Sequence, residues 1–305
     1  MKPIRIGTRK SPLAMWQAEW VQRKLNEKDI STEIIPISSE GDLNLKQPIY
    51  QLGITGVFTR SLDIALLNNQ IDIAVHSLKD VPTLLPDGIE LKGFMKRGNP
   101  NDILVYKSDG IFEKEKRTIA TGSLRRTSFW LNKFPQDSVV DLRGNVQLRI
   151  HKLVDSDWDG AIFAYAGLDR SEILNELKAK GLKYQILDWM IPAPSQGIVG
   201  ITSKSEFEMP DISDENSKIA ATIERQFLNV LEGGCTAPIG AYAEITDGSV
   251  NFKGSILSLD GKQKISIEEN FSTSAFENKG KELAEKCLTK GAGELIKEIK
   301  KQIQN

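Results

Sequence analysis

Ile71-Asp72-Ile73-Ala74-Val75-His76-Ser77-Leu78-Lys79-Asp80-Val81-Pro82 is the stretch that decides the fold. It begins as β-branched and small apolar residues, the composition of a buried strand, and ends in groups that bind or transfer protons. In open α/β sheets, ligands bind beyond the carboxyl ends of strands, where loops held by the sheet surround a crevice. Asp80 is therefore the candidate catalytic group. The plainer alternative is a strand followed by a solvated loop, with Lys79 and Asp80 as surface charges and His76 hydrogen-bonded at the strand end.

The residues around this stretch repeat the strand and helix alternation. Residues 3 to 8 alternate as a strand, and Ser11-Pro12 is an N-cap followed by proline at the first helical position. The spacing of Leu13, Trp16, Trp20 and Val21 predicts a core-facing helical stripe. Arg9 lies just ahead of it, where free amides favour an anion. Residues 32 to 38 form a strand, and Pro36 argues for an edge. Gly53-Ile54-Thr55-Gly56-Val57-Phe58 reads as a turn or ligand-facing loop before a helix through Phe58, Leu62, Ala65 and Leu66. Beyond the turn Pro86-Asp87-Gly88 comes a strand over 89 to 95, and the alternation implies a parallel α/β sheet.

Arg97-Gly98-Asn99-Pro100-Asn101 is dense in turn formers and marks a domain crossing. Past it, the turn after strand 118–121 leads into a helix capped by Ser123, with Arg125 and Arg126 in its first turn. Cations there oppose the helix dipole, so an anion would relieve the conflict. The strand from Ser138 ends in Arg143-Gly144-Asn145, the next helix carries Arg149, and the strand from Gly160 runs toward Arg170. Pro192-Ala193-Pro194-Ser195-Gln196-Gly197 marks a second crossing, after which 198–202 can return to the first unit. A helical stripe of Ile219, Ile223, Phe227 and Leu231 ends at Gly233-Gly234, immediately before Cys235. Hairpin signals at Asp247-Gly248 and Asp260-Gly261, then two helical stretches, make the tail a small α+β domain in which Cys287 is a core residue.

The chain has 305 residues, a formal charge of −1, 40% hydrophobic and 27% charged residues, and this balance excludes a broad basic field for nucleic acid. No apolar run approaches the ~20 residues of a membrane helix. The amino terminus enters a strand without a signal-like apolar core, which predicts a cytoplasmic protein. Two cysteines are too few for a disulfide framework and offer no metal-ligand spacing, so no metal is expected. Of 12 arginines, six fall between Arg117 and Arg170 and none follows Arg225. That local enrichment suggests carboxylate or phosphate recognition, which the guanidinium fork suits.

Five motifs together resemble the hydroxymethylbilane synthase (porphobilinogen deaminase) family over essentially the full length. They are Gly7-Thr8-Arg9-Lys10-Ser11-Pro12-Leu13-Ala14, Ala74 to Pro82, Gly122-Ser123-Leu124-Arg125-Arg126, Leu142-Arg143-Gly144-Asn145-Val146 and Leu231-Glu232-Gly233-Gly234-Cys235. The resemblance implies two α/β domains like periplasmic anion-binding proteins, with a cleft between them, and a smaller α+β domain. The expected bounds are 1–96 with 197–212, 97–196, and 213–305. It implies condensation of four porphobilinogen molecules into a linear tetrapyrrole, with loss of ammonia, on a dipyrromethane cofactor held covalently by Cys235. Asp80 is the implied catalytic carboxylate. Lys79, Asp80, Ser123, Arg125, Arg126 and Arg149 are implied to bind the cofactor, and Arg9, Ser11, Arg143, Arg149 and Arg170 the substrate carboxylates. A monomer without nucleic-acid or membrane partners is expected.

The chain departs from the family pattern at Thr55, where a lysine is common, at Ser61, where a glutamate is common, and at Ser195, where a glycine often precedes the glutamine. A non-catalytic two-lobed anion-binding protein is the alternative, since fold alone does not fix function. It leaves Asp80 and the Gly-Gly-Cys segment without a purpose.

Overall fold

The computed structural model describes residues 2–38, 59–231 and 237–304. Cys235 and the glycine loop carrying Thr55 lie outside them. The first sheet has the order β2-β1-β3-β10-β4, from β1 (Ile4–Arg9), β2 (Thr32–Ile37), β3 (Ile73–Ser77), β4 (Ile89–Phe94) and β10 (Val199–Lys204). The second has the order β7-β6-β8-β5-β9, from β5 (Asp102–Tyr106), β6 (Thr118–Ala120), β7 (Ser138–Val140), β8 (Gly160–Ala164) and β9 (Lys183–Ile186). The first lobe is thus built from segments on both sides of the second.

Neither sheet is wholly parallel, as the alternation alone had implied. β1 pairs in parallel with β2 and β3, but β10 is antiparallel to both β3 and β4. The reason is connectivity, because β10 arrives from the other lobe and enters the sheet from the end that β3 leaves. The second lobe repeats the pattern, β6 being parallel to β7 and β8 while β5 is antiparallel to β8 and β9.

Ser11 caps α1 (Pro12–Asn26) by accepting from the Ala14 amide at 3.4 Å, with Pro12 at the first helical position. The buried face of α1 is Ala14, Gln17, Ala18, Val21 and Leu25. Of the stripe expected from Leu13, Trp16, Trp20 and Val21, Val21 is buried in the first core and Trp20 packs partly buried against it, while Leu13 and Trp16 stay half-buried outside that core. The two tryptophans stack against each other at 5.5 Å and face Arg170 of the second lobe. A helix packed on two neighbours carries two apolar faces, and periodicity does not say which one is the core.

The two crossings touch. Gly98 N–H donates to Gly197 O at 3.0 Å. Gly197 has φ +87°, and a Cβ there would stand 2.8 Å from Gly98 O, so only glycine fits this approach. Ser195 has φ +64°, a left-handed conformation that suits glycine, which accounts for the glycine common there in the family and costs a serine about 1–2 kcal/mol.

α2 (Arg60–Leu67) covers the first sheet, and α3 (Leu124–Lys133), α4 (Val146–Asp155), α5 (Tyr165–Arg170) and α6 (Ile173–Leu177) belong to the second lobe. The third domain packs α7 (Glu215–Val230), α8 (Lys279–Cys287) and α9 (Gly293–Gln304) on the antiparallel strands β11 (Ile239–Thr246), β12 (Ser249–Leu257) and β13 (Lys264–Ser272). Asp247 and Gly248, both at positive φ, turn β11 into β12 as a type I′ hairpin requires. Cys287 is fully buried in this domain's core with Leu283 and Ala284.

Two buried titratable groups in the first lobe oppose one another. His76, bonded to Thr202 Oγ1 at 3.0 Å, has its pKa lowered to about 4 by burial and by the Arg9 charge. Asp63 is raised to about 6 by burial, partly offset by a hydrogen bond from Thr59. His76 binds protons more readily unfolded, so its contribution to stability falls as pH drops from about 6.5 toward 4. Asp63 binds them more readily folded, so its contribution falls as pH rises from about 3.8 to 6. Each is worth at most roughly 3 kcal/mol. Going from pH 7 to about pH 4.5 should therefore lower the urea midpoint of Asp63→Asn relative to that of His76→Gln. A pH-independent difference between the two variants would show that these shifts do not reach stability.

Candidate active site

Each lobe presents its candidate residues past the carboxyl ends of parallel strands. Arg9 ends β1 and Asp80 follows β3 in a single 3₁₀ turn, Leu78–Asp80. Across the cleft, Ser123 follows β6 and Arg143 follows β7. Ser123 caps α3, accepting from the Arg126 amide at 3.5 Å, and Asn145 caps α4, accepting from Leu148 N at 2.9 Å. These caps set the direction in which Arg126 and Arg149 leave their helices.

The lobes meet electrostatically at Lys79 and Asp80. Lys79 Nζ donates to Gln196 Oε1 at 3.2 Å. Burial, then the Arg126 charge, lower its pKa to about 8 against the opposing carboxylates of Asp80 and Asp102. Arg149 is brought down to about 10 by burial and by Arg126 and Arg143, while Asp80 and Asp141 resist. Arg126 is likewise lowered by burial and by Arg125, against Asp102 and Asp80. Asp80 is half-buried. It therefore sits in the field of cations from both lobes.

The sequence did not reveal what holds those cations. Asp102, fully buried at the start of β5, lies 2.7 Å from Arg125 Nη1 and 2.8 Å from Arg126 Nη2. Gln196 Nε2 adds a bond at 3.1 Å and also donates to Pro100 O at 2.7 Å. Burial alone would raise the Asp102 carboxyl, but the two guanidinium charges and these hydrogen bonds hold it well below the usual range. The conflict of two arginines at a helix amino end is thus answered within the protein. Nothing local marks Asp102 beyond an acid between a turn and an apolar run.

The remaining arginines divide. Arg143 is buried with Nη1 lacking a hydrogen-bond partner, and Arg149 Nε donates to Gly144 O at 2.7 Å. Arg170 has its guanidinium 5.4 and 5.3 Å from the rings of Trp16 and Trp20 and its Nη2 bonded to Gly197 O at 2.7 Å, and it lines a small cavity together with Lys79 and Gln196. Its pKa is lowered to about 10 by burial. Arg117 is committed to Asp137 at 2.8 Å, over the Phe134 ring. His76 is a buried partner of Thr202 rather than a group facing the cleft.

Residues 4–212 match the family model described as porphobilinogen deaminase, dipyromethane cofactor binding domain, and residues 218–289 match the porphobilinogen deaminase C-terminal domain. The chain belongs to the porphobilinogen deaminase family. The porphobilinogen deaminase of Chlorobium phaeobacteroides is 36% identical, the match covering 98% of this chain and 99% of that one. That of Desulfosudis oleivorans is 38% identical over 98% of each. Among solved structures, a periplasmic domain of Bordetella pertussis BvgS aligns over 66% of this chain and 79% of its own at 14% identity and TM-score 0.42, too loose a likeness to bear on function.

The residues present fit the family's dipyrromethane. A group bearing several carboxylates needs convergent cations, and Lys79, Arg126, Arg149 and Arg143 supply them, the last with a buried orphan nitrogen. Family membership also disfavours the purely anion-binding alternative.

Asp102→Asn should leave two buried guanidiniums short of their shared counter-charge and lower unfolding stability by about 3–5 kcal/mol in urea titrations. A loss below about 1 kcal/mol would mean that the arginines find another anion inside the fold.

Proposed function

We propose that this chain is a hydroxymethylbilane synthase, joining four porphobilinogen molecules head to tail into a linear tetrapyrrole and releasing ammonia at each step. The placing of Asp80 at the carboxyl end of β3, within the field of Arg126 and Arg149 from the opposite lobe, is the observation that carries this reading. In each cycle the aminomethyl C–N bond breaks, ammonia leaves, a C–C bond forms to the free α-carbon of the chain, and the proton on that carbon is lost. The dipyrromethane, when bound, supplies the first such α-carbon.

Loss of ammonia leaves an electron-poor pyrrole. A fixed carboxylate beside the ring nitrogen stabilises that positive charge where it develops, and we assign that role to Asp80. It is also the base positioned to accept the α-proton and to pass one to the departing amine. Arg143 and Arg149 pair with the acetate and propionate groups of the reacting unit, with Arg9 and Ser11 approaching from the first lobe. Arg125, Arg126, Ser123 and Lys79 hold the dipyrromethane, whose attachment we assign to Cys235 from the Leu-Glu-Gly-Gly-Cys motif. Asp102 lets the arginine pair face carboxylates without mutual repulsion dominating. For Arg170 the packing on Trp16 and Trp20 supports an indirect contribution, fixing the distance between the lobes. We further propose a cytoplasmic monomer, with two cysteines too few for the disulfide framework of an oxidising compartment.

Asp80→Ala should stay folded but lose turnover of porphobilinogen by on the order of 10²–10³-fold, the scale of removing one preorganised charge-stabilising group. Turnover within a few-fold of wild type would remove Asp80 from the chemistry. Intact-protein mass spectrometry should find the purified chain heavier than its sequence by one dipyrromethane, with that mass absent from Cys235→Ser and kept in Cys287→Ser. An unmodified but fully active chain would exclude the covalent assignment.

A further inference from the structure

None of the groups assigned to the reacting unit explains how the Asp80 turn is held. β3 fixes its beginning, through pairing with β1 and β10. Past Asp80 the chain leaves the sheet, and its next three residues are gripped from another domain. Arg225, on α7, donates from Nη1 to Val81 O at 2.9 Å and from Nη2 to Pro82 O at 2.6 Å. One turn further along α7, Asn229 Oδ1 accepts from Thr83 Oγ1 at 3.1 Å. The Arg225 guanidinium is thus spent on two neutral backbone carbonyls. Burial is the sole influence lowering its pKa, to about 10, and among the described residues no carboxylate is paired with it. A half-buried cation without a counter-ion carries a desolvation cost, and its two-pronged geometry is fully used by consecutive carbonyls. Beside it lies a cavity of about 240 Å³, lined by Thr83, Leu91, Phe94, Thr222, Arg225 and Asn229. Val81 packs against Leu78, Phe94, Ile198 and Ala221, but the fork is what fixes the two carbonyls that follow Asp80.

We propose that Arg225 is a positioning residue for the reaction: it sets the Asp80 carboxylate by clamping the carbonyls of Val81 and Pro82 to the third domain. The neighbouring Glu224 clamps the two crossings, so one turn of α7 registers both the catalytic turn and the hinge. The helix ends at Val230, five positions before Cys235 in the chain, so the helix that leads in sequence to the attachment motif also sets the carboxylate that acts on what is attached. This inference rests on the assignment of Asp80 as the catalytic carboxylate.

The test compares Arg225→Gln, Arg225→Lys and Asp80→Ala as purified holoenzymes at 25 °C, well below unfolding. Arg225→Gln should lower kcat for porphobilinogen by on the order of 10- to 100-fold with KM within about twofold, because the cleft cations are untouched while the carboxylate is displaced by a fraction of an ångström to an ångström. Arg225→Lys, whose ammonium can serve both carbonyls only as a point charge, should fall between Gln and wild type. Mass spectrometry should find the attached dipyrromethane in both. A wild-type kcat in Arg225→Gln overturns the proposal, as does a loss of kcat that merely tracks a lost folded fraction or lost dipyrromethane. If Asp80→Ala keeps its turnover, the assignment of Asp80 fails instead, independently of what Arg225 does.

Discussion

A single carboxylate with no exposure to solvent, that of Glu224, holds the three domains to one another. Its Oε1 accepts from Arg97 Nη1 at 2.6 Å and from Ala243 N at 2.7 Å, and its Oε2 accepts from Arg97 Nη2 at 3.2 Å and from Ser195 N at 2.6 Å. Arg97 lies in the outgoing crossing, Ser195 in the returning one, and Ala243 in a strand of the third domain. Burying a charge is expensive unless every lone pair is used, and here each oxygen takes two donors. Arg97 is in turn fixed by Gln196 O and by the Tyr242 ring at 4.8 Å. The strained backbone of Ser195 is explained by this bond, since its amide must point at Glu224 for the network to close.

Much of this was legible from residue patterns, and what was not has a common cause. Strand tips followed by Lys79-Asp80, Ser123-Leu124-Arg125-Arg126 and Arg143-Gly144-Asn145 could be found because each motif is local. The partners that determine their electrostatics are distant: Asp102 precedes Arg126 by 24 positions, and Gln196 lies 117 beyond Lys79. Direction was equally hidden. A run such as Val199–Lys204 declares itself a strand, but whether it joins parallel or antiparallel depends on the lobe from which it arrives. Trp16 and Trp20 show the same limit for a helix, where an apolar face is legible and its partner is not.

The cluster of arginines in the second lobe is better understood as two populations. Arg117, Arg125 and Arg126 are paired with buried acids, and Arg170 is stacked on indoles, so their charge serves first to join elements. Arg143 has a buried Nη1 without a hydrogen-bond partner, and Arg149 bonds the backbone carbonyl of Gly144 through Nε. A count of arginines cannot separate the two, because both need the same planar fork. The division also shows where part of the negative charge of a chain of net charge −1 goes. Some of its acids are spent inside, as Asp102 and Asp137 are, and the field they leave is shaped by which arginines they neutralise.

The insertion of β10 between β3 and β4 carries a consequence for how the protein is made. On a ribosome, β4 is complete at Phe94, but the strand that must lie between it and β3 begins only at Val199. At ~5–20 residues per second, the intervening hundred or so residues take roughly 5–20 s, during which the second lobe can fold as a unit. Through that interval β3 has an open edge, and the strand that delivers Asp80 is among the last to acquire both neighbours. The nascent first lobe is thus exposed to the mispairing that unprotected strand edges invite, for as long as translation of the second lobe lasts.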